Sequence, residues 1–445
     1  MAHFGSKLGV ILATAGSAVG LGNIWRFPTT TGENGGAAFI IIYIMCTLML
    51  GVPGMLAEFI VGRNGACNSA RAYREAGGHK VWSGVGIMGT LCSSIILGFY
   101  SVVAGWCIYY LYAALCDGVL GDKAYIEECF AQLQSSTWIP MLMSILFIFL
   151  THGIIVRGVQ GGIEKASKIL MPVLFILLVM LVIASCTLPG AWNGITFLFH
   201  PDFSKITTKV AFEALGQAFF SLSLGTACLC TYASYFKEDT NLLKSSMQII
   251  SIDVGVAILA GLMIFPAAFS VGIQPDAGPS LIFLTLPNVF NTAFPHSVAY
   301  VISIVFYALL TLAALTSTIS MHEIGTAVIA EQTKLSRSTA AICTTLFCCV
   351  IGILSALSLG PVPMGLFGAT LFDNFDALTS NILLPIGAFL TCIIVGWIMP
   401  REKVVGQLTS YGLYTLPSWF ISLFLFLVRF VCPIFITLIF ITKVS

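Results

Sequence analysis

Charged residues are scarce in this chain, and that scarcity excludes most classes of soluble protein. Only 9% of its 445 residues are Asp, Glu, Lys or Arg, whereas 58% are hydrophobic; soluble domains carry about 25% charged residues. The net charge is +1 and there is no basic run with interleaved aromatic residues. The sequence therefore predicts an integral membrane protein with no nucleic-acid partner.

The chain also lacks the residue patterns of metal centres and of catalytic sites. Its fourteen cysteines stand mostly singly in apolar segments, without metal-ligand spacing. Cys116 and Cys129 flank one polar loop, where a disulfide and two free thiols are both compatible with the sequence. His152, His296 and His322 are isolated from any Ser/His/Asp set. We therefore predict that the protein is not an enzyme.

Apolar windows long enough to cross a ~30 Å hydrocarbon core occur about eleven times. No small-residue cleavage site follows the first window, which indicates a membrane span instead of a signal peptide. The segment 275–291 is broken by prolines and predicts a re-entrant or interfacial hairpin. The windows lie near residues 9–31, 37–61, 85–115, 138–156, 165–187, 209–235, 246–271, 297–327, 339–359, 371–399 and 413–441.

The basic residues between the windows predict the orientation of the chain. Fourteen Lys and Arg residues fall at the N-terminus and in alternate loops near 62–84, 157–168, 236–245, 328–338 and 400–412. The opposite side holds four: Lys123, Lys205, Lys209 and Lys443. Because cytoplasmic loops are enriched in Lys and Arg, the N-terminus is predicted to be cytoplasmic and the C-terminus outside, in a multi-pass protein of the inner (plasma) membrane.

The first and sixth windows contain residues that weaken a helix at mid-membrane depth. Glycines recur over 16–22, and small or polar residues over 221–226. Backbone groups are freed in hydrocarbon only where they line a polar cavity or hold a ligand. Interrupted helices at the start of each five-span half are typical of inverted-repeat transporters. The alternative is close helix packing, which the Gly16-x-x-x-Gly20 pattern also fits.

Several motifs carry a resemblance to a known family. They are GSAVGLGNIWRFP, ENGGAAF, ILGFYSVVAGW, GQAFFSLSLG and ALTSTIS. The chain resembles the neurotransmitter:sodium symporter family over nearly its whole length, and its prokaryotic LeuT-like amino-acid transporters in particular. The resemblance implies an all-α membrane fold, a LeuT-like 5+5 inverted repeat with about 11 transmembrane helices, of which helices 1 and 6 are unwound. It also implies one transporter domain, 1–445, with repeats 7–187 and 209–399 and an extra helix 413–441.

The resemblance implies two sodium sites built from oxygen ligands, which hard cations prefer. The hydroxyls of the second site have an alternative as bonds to their own helix backbone. Site 1 corresponds to Ala18, Asn23, Ser221 and Asp253, and site 2 to Gly16, Val19, Ala313, Thr316 and Ser317.

Asp253 is an acid within the seventh window, and such residues are functional-site candidates by default. In chloride-dependent family members the anion binds near the first sodium, whereas bacterial members resemble this chain in supplying a carboxylate there. The resemblance therefore implies that no chloride is required.

The substrate is implied by an absence. Monoamine transporters of the family carry an aspartate where this chain has Gly20. The resemblance therefore implies a substrate with its own carboxylate, bound by Tyr100 and by backbone amides of the unwound helix. For Ile96 and Met321 an ordinary core role is the alternative. The implied substrate residues are Ser17, Ala18, Gly20, Gly22, Ile96, Tyr100, Phe220, Ser221, Ser223, Thr226, Thr318 and Met321.

Gates on both sides are also implied. Outside, Arg26 and Asp376 resemble an ion pair above Phe220, with Gln217 and Asp373 beside it, although an arginine at a span end also snorkels. Inside, the implied residues are Tyr235 and Glu331, while Glu58 and Glu323 are expected to tie the sixth helix to its neighbours. Phe4 stands where the family has a tryptophan, and Met1 where it has an arginine. Gly162 and Pro172 reproduce a spacing associated with unwinding of the fifth span, for which a simple proline kink is the alternative.

Together these features predict a sodium-coupled symporter that imports a neutral aliphatic or aromatic amino acid by alternating access. Its partners are the amino acid, two sodium ions and the bilayer, and either a monomer or a dimer fits the sequence. The alternative is a membrane sensor that binds an amino acid without net transport.

Overall fold

Long apolar helices make up most of the structure, a computed structural model that describes residues 3–272, 281–360, 362, 364–366 and 368–444. Within these residues nine helices are long and apolar enough to cross a bilayer, and one bent pair adds a tenth span. The sixth predicted window forms two shorter helices. We number the spans 1 to 11: Lys7–Ala18 with Gly22–Glu33, Ala37–Gly65, Lys80–Leu115, Trp138–Ile155, Val159–Cys186, Thr208–Ser221 with Cys228–Ala233, Leu242–Ser270, His296–Thr333, Arg337–Leu359, Leu371–Ile398 and Ser418–Thr442.

Span 1 is broken where the glycines predicted it. Its first helix begins after Ser6, whose hydroxyl accepts the Gly9 N–H, and ends at Val19, whose backbone is extended. The chain resumes as a π-helical turn, Gly22–Arg26, and the two halves are bent by 55°. The break therefore leaves backbone groups near residues 19–21 outside the regular helical bonds.

Span 6 is broken by an irregular turn between its two helices. Ser223, Gly225 and Ala227 all have positive φ, at 53°, 86° and 60°. A left-handed backbone costs a non-glycine residue roughly 1–2 kcal/mol, so surrounding contacts must hold the turn. Buried Glu58 of span 2 provides two of them, because its carboxylate accepts the Gly225 N–H at 2.6 Å and the Cys230 N–H at 3.4 Å. The expected tie of Glu58 to the sixth helix is thus present.

Shorter elements connect the spans. The helical segment Leu281–Ala293 is apolar but too short to be counted as a span. It covers most of the segment predicted as a hairpin, and residues 275–280 of that prediction lie outside the described residues. All fourteen cysteines are free, so Cys116 and Cys129 are not joined. The remaining short elements are Ser69–Gly77, Lys123–Ser135, Ala191–Phe199, Phe203–Lys205, Arg401–Thr409 and a two-stranded hairpin of Gly365–Leu366 with Ala369–Thr370.

The packing of the spans surrounds the two breaks with other helices. Spans 3, 4, 8 and 9 pack on one another as one group. The first helix of span 1 contacts spans 5, 7 and 8, while the second helix of span 6 contacts spans 2 and 8. The freed backbone of both broken spans therefore lies inside the protein and away from lipid, as the hydrocarbon environment requires.

Candidate functional site

Asp253 is the centre of a buried polar cluster between the two breaks. Its carboxylate accepts hydrogen bonds from Asn23 Nδ2 at 2.7 Å, from Ser221 Oγ at 2.8 and 3.0 Å, and from the Tyr43 hydroxyl at 3.3 Å. Asp253 and Asn23 are fully buried. The structure thus brings together three of the four residues predicted for sodium site 1. Ala18, the fourth, is buried at the end of the first helix of span 1.

The amide of Asn23 faces this carboxylate with its donor end. Nδ2 also lies 3.3 Å from Ser221 Oγ, while Oδ1 accepts the Gly20 N–H at 3.1 Å. A cation beside Asp253 favours an oxygen in place of these N–H donors. Because rotation of the amide by 180° exchanges oxygen and nitrogen, Asn23 has the chemistry to serve either a hydrogen-bonded cluster or a cation.

A second group of oxygens lies at the end of the first helix of span 1. The carbonyl of Val19 accepts hydrogen bonds from Thr316 Oγ1 and Ser317 Oγ, both at 3.2 Å. Thr316 Oγ1 also bonds the Ala313 carbonyl at 2.9 Å, the back-bonding that the alternative interpretation expects. Gly16 approaches Thr316 so closely that an added Cβ would lie 3.4 Å from its Cβ. All five residues predicted for sodium site 2 are therefore neighbours.

Tyr100 contacts the break of span 1 directly. Its hydroxyl accepts the Leu21 N–H at 3.1 Å. An added Cβ on Gly20 would lie 2.4 Å from Ser317 Oγ and 3.3 Å from the Tyr100 hydroxyl. The backbone at residue 20 thus lies against both groups, and no side chain fits there without a shift of its neighbours.

The predicted side-chain pocket is mostly apolar. Ile96 packs in a buried group with Cys92, Phe99 and Leu384, and Met321 and Tyr100 pack against it. The predicted hydroxyls bond nearby carbonyls: Ser17 to Thr14 at 2.7 Å, Thr226 to Ser223 at 2.7 Å and Thr318 to Leu315 at 3.0 Å.

A cavity of about 350 Å³ lies beside Tyr100 and the break of span 1. Its lining includes Arg26, Tyr100, Phe220, Asp373 and Asp376. The Arg26 guanidinium lies 4.1 Å over the Phe220 ring. Gly22 leaves room for this ring, because an added Cβ would lie 3.1 Å from it.

The ion pair predicted over this cavity is not formed in the structure. No ion pair joins Arg26 to Asp376 among the described residues, and the Asp376 carboxylate instead accepts the Ser380 hydroxyl at 2.8 Å. Asp373 caps its own helix through Thr370. The buried amide of Gln217 has no hydrogen-bond partner within the described residues.

At the predicted cytoplasmic gate, no hydrogen bond joins Tyr235 to Glu331. The Tyr235 hydroxyl donates to the fully buried Glu323 at 2.7 Å, and Glu323 forms an ion pair at 2.5 Å with Arg337, which is partly exposed. Glu331 accepts the backbone and side-chain N–H groups of Asn68 instead. The expected tie of Glu323 to the sixth span is present, and the network at Tyr235 runs to Glu323 instead of Glu331.

The N-terminal segment packs against Tyr232 and Tyr235, beside the predicted cytoplasmic gate. Phe4 is 1% exposed, and its ring contacts Tyr232 and Tyr235 edge-on. The carboxylate of Glu164 accepts the Gly5 N–H at 2.6 Å and the Ser6 hydroxyl at 2.8 Å. Phe4 therefore occupies an aromatic pocket, and Glu164 holds the backbone that follows it.

Span 5 is irregular where the Gly162 and Pro172 spacing predicted loosening. Residues Val159–Glu164 form a π-helical turn, and Pro172 lies inside the helix that follows. An added Cβ on Gly162 would lie 2.1 Å from the Ile154 carbonyl, so the two backbones touch here. The residue that binds the N-terminal segment, Glu164, closes this same turn.

The break of span 6 also touches span 10 without intervening side chains. An added Cβ on Gly225 would lie 2.2 Å from the Leu384 carbonyl, and one on Gly387 would lie 2.4 Å from the Gly225 carbonyl. The two glycines therefore permit backbone-to-backbone contact.

Several contacts of the site were absent from the sequence interpretation. Tyr43 bonds Asp253 across 210 positions, Glu164 bonds Gly5 across 159, and Arg337 pairs with Glu323. For Glu164, its place two residues after Gly162 was an available signal, whereas Tyr43 reads as one more aromatic residue of an apolar window.

Comparison with known proteins identifies the family to which this site belongs. A sequence model described as the sodium:neurotransmitter symporter family matches residues 1–136 and 126–445. This chain belongs to that family. Like its relatives, it is a transporter and not an enzyme, and it is sodium-coupled.

The relatives span bacteria, archaea and animals. A sodium-dependent transporter of Bacillus subtilis is 36% identical over 100% of this chain and 98% of its own length. Another from Haemophilus influenzae is 35% identical over 98% and 97%. The sodium- and chloride-dependent glycine transporter 2 of Xenopus laevis is 27% identical over 86% of this chain and 58% of its own length.

A solved structure shows the same fold. The crystal structure of MhsT in complex with L-phenylalanine matches with a TM-score of 0.90 and 36% identity, over 100% of both chains. Together with the two broken spans, this match confirms the LeuT-like fold expected from the sequence motifs.

Proposed function

We propose that this symporter imports a neutral amino acid, aliphatic or aromatic, together with sodium at two sites and without chloride. The close approach of Gly20 to Ser317 and Tyr100 carries the proposal. It leaves no room at residue 20 for an acidic side chain that would pair with a substrate amine. MhsT, the similar structure, holds L-phenylalanine, and the apolar group at Ile96 supports the same substrate class.

The two oxygen groups support two sodium sites. At site 1 the substrate carboxylate joins Asn23, Ser221, Asp253 and Ala18, and at site 2 the Val19 carbonyl lies beside two hydroxyls. Sodium bound at either break replaces hydrogen bonds that now hold the chain to itself. Binding of sodium and amino acid is therefore coupled, because each completes a site that the other needs.

The remaining residues of the proposal serve access and orientation. Tyr100 and the amides of the break, including Gly22, bind the substrate carboxylate, while Ser17, Ser223 and Thr318 are placed near its amino group. Phe220 forms the lid, and Arg26 closes over it with Asp376. We further propose that the chain is one transporter unit of two repeats, 7–187 and 209–399, with its N-terminus in the cytoplasm.

The decisive experiment is counterflow into proteoliposomes. Neutral amino acids, and amines without a carboxylate, are screened with a sodium gradient and with potassium or choline in its place. We expect uptake of one or more of them that depends on sodium. Indifference of every amino acid to the replacement of sodium would contradict the coupling, and uptake restricted to amines without a carboxylate would contradict the substrate class.

A change at Asp253 tests the chloride part of the proposal. Asp253→Asn removes the fixed negative charge but keeps an oxygen, so we expect weaker sodium activation and partial recovery by chloride. Uptake is compared in chloride and gluconate buffers, with Asp373→Asn as the control because that acid lines the outer cavity. A wild-type protein that requires chloride would show that Asp253 does not replace the anion.

A further inference from the structure

A basic residue lies inside the last membrane span. Arg429 stands near the middle of Ser418–Thr442, and its neighbours Phe426 and Phe430 are 53% and 44% exposed. In a membrane these exposed aromatic rings face lipid. An arginine is costly there unless it finds a partner, and such residues are functional candidates for that reason.

The side chain of Arg429 is held in place by span 10. Its Nε donates to the Gly396 carbonyl at 2.5 Å, and its Cζ lies 5.9 Å from the centre of the Trp397 ring. Trp397 Nε1 in turn donates to the Arg429 carbonyl at 3.2 Å. An added Cβ on Gly396 would lie 3.0 Å from Arg429 Cγ, so the glycine permits the approach. The groove between spans 10 and 11 thus fixes the stem and one edge of the guanidinium.

The charge of Arg429 has no counter-charge in the described part of the chain. None of the ion pairs there includes it, and its two Nη atoms have no hydrogen-bond partner there. They are also not among the fully enclosed unpaired atoms, so they reach the surface of the molecule. A planar fork of free N–H donors matches the oxygens of a phosphate in a bidentate manner.

Arg429 lies mid-way along span 11, but its contacts with Gly396 and Trp397 place its guanidinium beside the last turn of span 10, which ends at Ile398. This end of span 10 lies near the membrane surface. Trp397 precedes Arg401, the first residue of the polar helix Arg401–Thr409, by only four residues. Arg401 and Lys403, with Glu402 between them, leave a net positive charge at that end. Aromatic residues such as Trp397 are typical of the interfacial zone where headgroups lie.

We propose that Arg429, held by Gly396 and Trp397 between the last two spans, binds the phosphate of an anionic phospholipid headgroup. Anionic lipids are favoured over zwitterionic ones because the nearby basic residues repel a headgroup amine. This proposal does not depend on the transported substrate, since it concerns the lipid-facing surface.

Native mass spectrometry of the full chain in a neutral detergent tests the proposal. Phosphatidylglycerol and phosphatidylcholine are titrated separately against the wild type, Arg429→Gln and the matched control Arg157→Gln, an exposed arginine elsewhere. We expect phosphatidylglycerol to bind the wild type at least fivefold more tightly than phosphatidylcholine. This preference is expected to disappear in Arg429→Gln and to persist in Arg157→Gln.

Two further measurements distinguish a lipid phosphate from free phosphate and test whether a loss of binding reflects misfolding. Inorganic phosphate at millimolar concentration is expected not to displace the lipid; complete displacement would identify a site for free phosphate instead. Arg429→Lys retains the charge but not the planar fork, and we expect intermediate binding. Unchanged phosphatidylglycerol preference in both Arg429→Gln and Arg429→Lys would show that Arg429 only reaches interfacial water, and would overturn the proposal.

Discussion

At the scale of single residues, glycine and the small polar residues decide where this protein differs from an ordinary bundle of apolar helices. Gly20 lies against Ser317 and Tyr100, and Gly225 against the backbone of Leu384. In each case the lack of a side chain allows a backbone contact that a β-carbon would prevent. The breaks in spans 1 and 6 therefore depend on the absence of a β-carbon at these glycines as much as on hydrogen-bonding groups.

The change Gly20→Ala tests this point. The added methyl group meets Ser317 Oγ at 2.4 Å, and overpacking of this kind typically costs 1–3 kcal/mol. Because Ser317 belongs to the second oxygen group, we expect the rise in melting temperature caused by sodium to be lost.

Gly255→Ala is the matched control, since a Cβ there meets nothing within 4 Å. It is expected to keep the sodium response of the wild type. An equal loss in both variants would mean that the effect arises from general destabilisation and not from the approach of Gly20 to Ser317.

At the scale of structural elements, the two broken spans could be predicted from the sequence and their long-range ties could not. Glycines at 16, 20 and 22 weaken a helix wherever they occur, so the break of span 1 is a local property. The contact of Tyr43 with Asp253 depends on how spans 2 and 7 pack, which no periodicity encodes. The same holds for the pairing of Tyr235 with Glu323 instead of Glu331.

The N-terminal segment is a second element with a testable role. Phe4 fills an aromatic pocket beside Tyr232 and Tyr235 at the C-terminal end of span 6. Phe4→Ala empties that pocket, and we expect this side of the protein to open more often. Alkylation of buried Cys228 by a membrane-permeant maleimide should then be at least tenfold faster, because a lost core phenylalanine typically costs 3–5 kcal/mol and about 1.4 kcal/mol already corresponds to a factor of ten.

Peptide mapping follows this reaction, with Cys92 of span 3 as the internal reference. Leu8→Ala serves as the control variant because Leu8 is 59% exposed and fills no pocket. Acceleration at Cys92 as large as that at Cys228 would indicate global loosening, which contradicts a local gate.

At the scale of the whole molecule, the eleven spans numbered above are expected to place the two ends of the chain on opposite sides of the membrane. The basic residues of the loops predict a cytoplasmic N-terminus. Alkaline phosphatase fused after residue 445 is therefore expected to be active, and a fusion after residue 412, before span 11, to be inactive. The reverse pair of activities would contradict the predicted orientation.

The contact between Gly225 and span 10 has a consequence at this scale. Peptide groups are rigid, and no flexible side chain separates the backbone at Gly225 from the backbone of span 10. We therefore expect a displacement of the turn at Gly225 to move the helix that carries Asp376. Occupancy of the proposed substrate site is then expected to alter the width of the cavity that Asp376 lines, through direct backbone contact.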